Sequence, residues 1–219
     1  MIIFVSIIVV VLLISLFRVL LKQSTMPTGF LGVFMMLLWN RVYLPLVKWA
    51  TSRIKLNDNF TILDIGVGNG ASSVYLFQQR NSLSITGIDI SEDAIIQAKK
   101  NHPNKNIHFE SMDIHALTCA PETFDLVTAF QTHFHWHDLD QALNEIHRVL
   151  KQHGIVVFAC EKAKINYFLP KLKKSADFQA YLTTLGFLLT DEHETNQWIM
   201  YTFQKNDTEQ NIIQRHFIL

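Results

Sequence analysis

Cysteine is scarce in this 219-residue chain: there are only two, Cys119 and Cys160, and two thiols cannot staple a fold as a small secreted scaffold is stapled. A reducing compartment is the simpler reading. Net charge is missing as well. Nineteen Lys and Arg balance nineteen Asp and Glu, and charged residues make up only 17% of the chain. A protein that coats nucleic acid needs excess cations to displace counterions from phosphates, so nucleic acid is not an expected partner. No internal repeat is visible. What the sequence has in quantity is apolar surface. A 49% hydrophobic fraction with 16 Phe and 4 Trp buries enough area to exclude a disordered chain. At this length one domain with an attachment is expected.

Acidic residues are absent from the first 57 positions, where six cations stand alone: Arg18, Lys22, Arg41, Lys48, Arg53 and Lys55. The remainder holds 13 basic and 19 acidic residues, so the neutral total is +6 in front and −6 behind. Residues 1–17 carry no charge at all, and Val19, Leu20 and Leu21 continue the apolar run past Arg18. That is about the 20 residues needed to cross a bilayer, with Arg18 able to snorkel. A cleaved signal peptide is the rival, but it needs a basic stretch before the run and small residues at a cleavage site, and neither is there. The sequence therefore predicts a transmembrane helix over 1–22. The cations that follow it make the chain a single-pass membrane protein with its bulk on the cytoplasmic side. After a break at Ser24–Gly29, residues 30–56 read as an apolar helix that Pro45 interrupts or kinks. With Trp39, Tyr43 and Trp49, it suits either a lid on the following domain or an interfacial helix on anionic lipid. A helix has two faces, and both readings stay open.

From Phe60 the pattern turns to short β-branched runs alternating with helices. Strands are predicted at Phe60–Ile65, Ser84–Ile90, Ile107–Glu110, Phe124–Phe130 and Ile155–Cys160. Helices are predicted at Ala71–Gln79, from Ser91 to Lys100, and at Asp140–Leu150. This alternation specifies an α/β fold with a doubly wound parallel sheet. A further helix at Ser175–Leu185 precedes two strands, Phe187–Glu194 and Gln197–Gln204, close enough to form an antiparallel hairpin.

The first strand runs into Gly66-Val-Gly68-Asn-Gly70, with Asp64 two residues ahead of the first glycine. A glycine turn between strand and helix lets a ligand approach the backbone closely. By itself the signal is weak, because dinucleotide enzymes use the same place. The spacing is G-x-G-x-G and not G-x-G-x-x-G. Asp64 disfavours a pyrophosphate and favours a ligand carrying cationic ammonium and sulfonium groups. Asp89, at the end of the second strand, is placed to accept both hydroxyls of a ribose, and Asp113, after the third, to accept an exocyclic adenine amine. Three acids at three successive strand ends form a constellation more specific than the loop.

Leu63-Asp-Ile-Gly-Val-Gly-Asn-Gly70, Gly87-Ile-Asp-Ile-Ser91, Ser111-Met-Asp-Ile114 and Phe124-Asp-Leu-Val127 resemble the successive motifs of class I S-adenosylmethionine-dependent methyltransferases. His135-Trp-His-Asp138, running into Ala142–Lys151, is similar to the region after strand 4 in the small-molecule branch that includes quinone-ring methyltransferases. The resemblance is firm over residues 60–160 and looser over 27–59. It implies a Rossmann-like seven-stranded sheet whose last strand is antiparallel, with S-adenosyl-L-methionine as the cofactor. By position, Asp64, Gly66, Gly68 and Gly70 would meet the methionine part, Asp89 the ribose, and Ile90, Asp113 and Ile114 the adenine, while Gln131 would border the sulfonium. The usual Lys-Pro-Gly-Gly turn is Lys151-Gln-His-Gly154 here. On this reading the chain divides into a transmembrane anchor (1–22), a helical cap (23–57), a methyltransferase domain (58–205) and a tail (206–219).

Methyl transfer needs alignment in a dry pocket more than it needs a metal or a covalent nucleophile. An acceptor with a proton to lose benefits from a base, for which His135 is the first candidate and His133 the second. A metal site on His133, His135 and His137 would require them on one face of a strand; none is expected. Cys119 and Cys160 read as small buried residues. The five lysines from Lys162 to Lys174 read as a solvated loop or helix that can also help seat an anionic headgroup or the membrane surface. The expected function is a membrane-anchored methyltransferase for a small, lipophilic acceptor such as a quinone precursor or a lipid. The alternatives are a nicotinamide oxidoreductase on a similar sheet and a membrane-associated scaffold without chemistry.

Overall fold

Largely apolar, β-branched and aromatic runs form the middle of the sheet because both of its faces are covered, so its strands need no polar side. In the computed structural model the described residues are 42–206, together with Ser6, 10–15, Arg18, Val19 and Gly29. Among the described residues there are seven strands: β1 (Thr61–Ile65), β2 (Ser84–Asp89), β3 (Ile107–Ser111), β4 (Phe124–Phe130), β5 (Leu150–Glu161), β6 (Phe187–Glu194) and β7 (Trp198–Lys205). They lie in the order β3-β2-β1-β4-β5-β7-β6. The first five pair in parallel, and β7 runs antiparallel to both β5 and β6. This is the Rossmann-like mixed sheet that the sequence implied, with the last strand reversed.

Helices cover both faces. Residues 42–51 (α1), α2 (Ala71–Gln79) and α3 (Glu92–Asn101) bury Leu46, Leu76, Ile95 and Ala98 against Ile62, Ile85, Leu126, Val157 and Met200. On the other face, α4 (Leu139–Val149) and α6 (Ser175–Thr184) bury Leu143, Ile146, Phe178 and Leu182 against Leu63, Val127, Val156, Phe158 and Phe203. Neighbouring residues of one strand therefore belong to different cores, as the period of two requires. Helix starts are capped by chemistry visible in the chain: the Ser91 hydroxyl accepts from the Ala94 amide at 3.3 Å, and the Asp138 carboxylate accepts from Gln141 at 2.9 Å.

One expectation needs correction. The chain leaves α4 straight into β5 at Leu150, five residues before the predicted strand start, and Lys151–Gly154 is absorbed as an irregularity between Phe124 and Leu126 of β4. Lys151 holds it there by donating to both Asp125 oxygens at 2.9 Å. Of the two readings of the lysine-rich segment, loop or helix, it takes the helical one as α5 (Lys162–Phe168), followed by a 3₁₀ turn at Pro170–Leu172. β4 ends at Phe130, as the sequence predicts, and His133–His135 beyond it is a 3₁₀ turn, so no strand alternation aligns the three histidines.

Of the proposed anchor only Ser6, 10–15, 18 and 19 are described; all are helical and exposed. The rest of 1–22, all of 23–41 but Gly29, and 207–219 of the tail lie outside the described residues. Among the described residues no helix is long and apolar enough to cross a membrane.

Candidate functional site

The strand order reverses between β1 and β4, and in open α/β sheets ligands bind in the crevice outside the carboxyl ends of strands at such a point. The glycine loop lies there. The Gly66 and Val67 amides donate to the Ile88 carbonyl at 2.7 and 3.1 Å, and the Met112 amide donates to the Asp89 carbonyl at 3.0 Å. The ends of β1, β2 and β3 are thus tied to one another. The three glycines all have positive φ but different surroundings. A Cβ on Gly66 would stand 2.7 Å from Thr132 Cβ, and one on Gly70 would stand 2.7 Å from Phe109 Cζ. A Cβ on Gly68 would meet nothing within 4 Å. The outer glycines let the chain close on itself, and the middle one borders open space.

Asp64 is 1% exposed. It accepts from the Ser72 and Ser73 hydroxyls at 2.6 and 2.7 Å and from Thr128 at 2.8 Å. Burial pushes its carboxyl up, while the three hydroxyls pull it back. Ser73 and Thr128 are themselves fully buried, and of the three only Ser72 is partly exposed. Asp89 is pinned edge-on. One oxygen accepts from the Gly68 amide at 2.8 Å and the other from the Ser91 amide at 2.9 Å, which leaves each with capacity for one more donor. Burial raises this carboxyl and the two amides oppose it. The next residue, Ile90, is 51% exposed, an apolar surface beside the carboxylate. Asp113 caps a 3₁₀ turn at Ile114–Ala116, with Ile114 buried behind it. One of its oxygens accepts from the His115 amide at 3.0 Å and meets the His115 ring at 2.6 Å. Burial raises the Asp113 carboxyl, but His115 outweighs it and holds the group below the usual carboxylate range. Gln131, with φ +60, stands where β4 ends. Its side-chain oxygen accepts from the Glu161 amide at 3.3 Å, while its Nε2 is buried without a hydrogen-bond partner.

These features fit an adenosyl ligand without phosphates: a pinned carboxylate for a diol, an exposed apolar side chain for a base, a second carboxylate beyond it, and open space over a glycine. The nine expected binding residues come from the last residues of β1 and β2 and from the segments after β1, β2, β3 and β4, at one edge of the sheet.

The two histidines separate. His133 is 2% exposed, stacks on Phe158 at 4.6 Å, and sits 3.8 Å from the Cys160 sulfur; burial pushes it down to about 3. It is a core residue. His135 is half-buried, packed between Phe134 at 4.4 Å and Phe168 at 5.0 Å. Burial, then the Lys164 charge, pushes it down to about 4. Among the described residues no group of three or more His, Cys, Asp or Glu is arranged to hold a metal ion. Sequence reasoning missed Ser72, Ser73, Thr128, Thr132, Phe109 and His115. Thr128 meets Asp64 because they are partners in the β1–β4 register, and parallel register is not legible along a chain. The one available signal was Asp113-Ile-His115, an acid followed two residues later by an imidazole at the start of a turn.

Residues 63–158 match a family model described as a methyltransferase domain. A demethylmenaquinone methyltransferase of Bacteroides fragilis is 27% identical over 161 residues, covering 70% of this chain and 65% of that protein. A ubiquinone biosynthesis O-methyltransferase of Coxiella burnetii is 29% identical over 142 residues, covering 64% and 53%. The chain thus spans less than two thirds of the length of either relative. Among solved structures, the [4+2]-cyclase SpnF superposes with a TM-score of 0.64 at 17% identity, over 74% of this chain and 81% of that one. A Methanococcus maripaludis protein provisionally described as an S-adenosyl-L-methionine-dependent methyltransferase gives 0.61 at 20% identity, over 81% and 93%. At those identities the likeness is one of fold. Residues 63–158 of this chain thus match a methyltransferase domain, on a fold shared with those solved structures.

Proposed function

We propose that the whole chain is a membrane-anchored methyltransferase that moves a methyl group from S-adenosyl-L-methionine to a small lipophilic acceptor of the quinone-precursor or lipid class, working at the cytoplasmic face. The observation that carries the enzymatic part is Asp89, fixed by the amides of Gly68 and Ser91 under the open face of the glycine loop. The acceptor class is supported by the two relatives, a demethylmenaquinone methyltransferase and a ubiquinone biosynthesis O-methyltransferase. Membrane attachment is supported by Val10–Ile14, apolar, helical and exposed, ahead of a stretch free of acids.

Bound S-adenosylmethionine supplies a sulfonium whose methyl group is displaced in line. The chain's own residues bind and align. Asp89 takes the diol, Asp113 and Ile90 take the base, and Gly68 admits the amino-acid part without a side chain in the way. His135 stays uncharged down to about pH 4, so at neutral pH its lone pair is open to a proton from the acceptor, and the phenyl rings on either side exclude water. A ring held this low is a weak base, so it takes the proton only as the bond to the methyl carbon forms, when that proton is most acidic, and releases it to water afterwards. His135→Gln is expected to lower kcat about a hundredfold or more with cofactor affinity unchanged.

Calorimetry with S-adenosylmethionine, its demethylated product and NADH tests the reading. The first two bind, and Asp89→Ala weakens them about 10- to 100-fold, the worth of hydrogen bonds to a charged group. Binding of NADH alone would establish an oxidoreductase instead, and binding of none a scaffold. Labelled donor incubated with membranes and followed by lipid extraction identifies the acceptor class; label confined to the aqueous phase would remove the lipophilic acceptor.

A further inference from the structure

We infer that residues 164–174, the outer wall of the cleft beside His135, form a surface by which the catalytic domain itself docks on an anionic phospholipid bilayer. The inference deepens the proposed membrane-surface reaction and rests on it.

The segment is anchored from within and presents two kinds of side chain outward. Ile165 is buried, and Leu169 and Leu172 pack on the core, which fixes the backbone of α5 and of the turn after it. Pointing away from that anchor, Tyr167 is 79% exposed and Phe168 37%, their rings in edge contact at 4.8 Å. Lys171, Lys173 and Lys174 follow, all exposed, and no acid occurs from Lys162 to Ala176. Lys162 is excluded, because Glu194 holds it at 2.7 Å. Lys164 lies 5.7 Å over the Phe134 ring, inside the wall. An aromatic pair beside three cations matches the gradient of a bilayer surface, where a ring sits at headgroup depth and lysines meet lipid phosphates. Each lysine brought to an anionic surface strengthens binding about fivefold.

A nucleic acid offers phosphates too, but it needs ring faces to stack on. Here Phe168 is already engaged with Phe134 at 5.5 Å and His135 at 5.0 Å, which leaves a base little ring face to stack on. A bilayer also gives the position a purpose. The wall that touches lipid is the wall that touches His135, so an acceptor leaving the bilayer enters the cleft without crossing water.

Hydrogen exchange of the full chain tests this locally. Vesicles of phosphatidylcholine alone, or with three tenths phosphatidylglycerol, are supplied in excess so that the N-terminal segment binds the chain to either. Amides of residues 163–174 are expected to exchange at least fivefold more slowly on the phosphatidylglycerol vesicles. High salt, or the K171Q/K173Q/K174Q variant, should abolish the difference, and Tyr167→Ser should reduce it. Equal exchange on the two vesicles would overturn the inference, as would equal protection by a single-stranded RNA. Calorimetric binding of S-adenosylmethionine by each variant shows that the fold is intact. Loss of that binding in the parent chain would sink the enzyme reading, while the exchange difference still decides the docking surface.

Discussion

Gly66 and Gly68 share a left-handed backbone, with φ of +72° and +54°, yet a methyl group added to each meets a different fate. At Gly66 it collides with Thr132, so Gly66→Ala adds overpacking to backbone strain and should cost about 2–4 kcal/mol. At Gly68 only the strain of about 1–2 kcal/mol applies, and the methyl group projects into the cleft. Thermal unfolding should therefore rank Gly66→Ala well below Gly68→Ala, and S-adenosylmethionine binding should be lost in Gly68→Ala at temperatures where it is still folded. The spacing of the glycines announced the loop, but which of them faces a ligand depends on Thr132 and Phe109, distant residues that no local pattern reveals. His133 gives a second residue-scale prediction. The unfolded chain protonates it near 6.5, whereas the folded chain refuses the proton until about 3. Its contribution to stability is therefore complete above 6.5 and is lost as pH falls through that window, at about 1.4 kcal/mol per pH unit. His133→Phe, which keeps a ring against Phe158, should flatten the fall in denaturant midpoint between pH 7 and pH 5. His135 adds a smaller loss of the same sign in both chains.

At the scale of elements, the strands of the sheet were legible wherever a charge-free run is buried on both faces, as in Ile155–Cys160. The start of β5 was not. A glycine turn normally separates a helix from the next strand, but Lys151–Gly154 is held in the sheet by Asp125. The loop bearing Asp113 depends on a neighbouring helix in a way that sequence likewise conceals. Arg148 of α4 donates to the carbonyls of Leu117 and Cys119 at 2.8 Å and pairs with Glu145 at 2.7 Å, and Glu145 accepts from the Leu117 amide at 2.9 Å. This clamp ties the segment after Asp113 to α4. A lysine cannot reproduce the fork, and the pair is partly exposed. Arg148→Lys should therefore cost only about 1 kcal/mol, but it should speed amide exchange in residues 114–119 and weaken S-adenosylmethionine severalfold. Unchanged exchange there would show that the clamp is not what holds the loop.

For the whole molecule, the balance of charges separates into a cationic front and an anionic domain, and the two proposed membrane contacts account for cations on both sides of that division. Its acids have a distinct task, because Asp64, Asp89 and Asp113 cluster at the end of the sheet where a cationic ligand would sit. That polarity was legible, since each acid closes a recognisable strand. The contacts of α1 with the sheet were not, although Trp49 rests 5.6 Å from Trp198; nothing in either segment identifies the other.

The reversed strand has a consequence for how the protein is made. β7 lies between β5 and β6, so the last described strand to leave the ribosome completes the interior of the sheet. Strands β3-β2-β1-β4-β5 can assemble as they emerge, in the way domains fold from the N-terminus during synthesis. Until Trp198–Lys205 arrives, β5 presents an unpaired apolar edge and β6 has no neighbour to join. Nascent chains arrested before residue 198 should accordingly bind chaperones and resist becoming soluble, whereas chains released past residue 205 should not. A premature stop in the final strand would be felt as aggregation well before it was felt as lost catalysis, although every residue assigned to the site had already been translated.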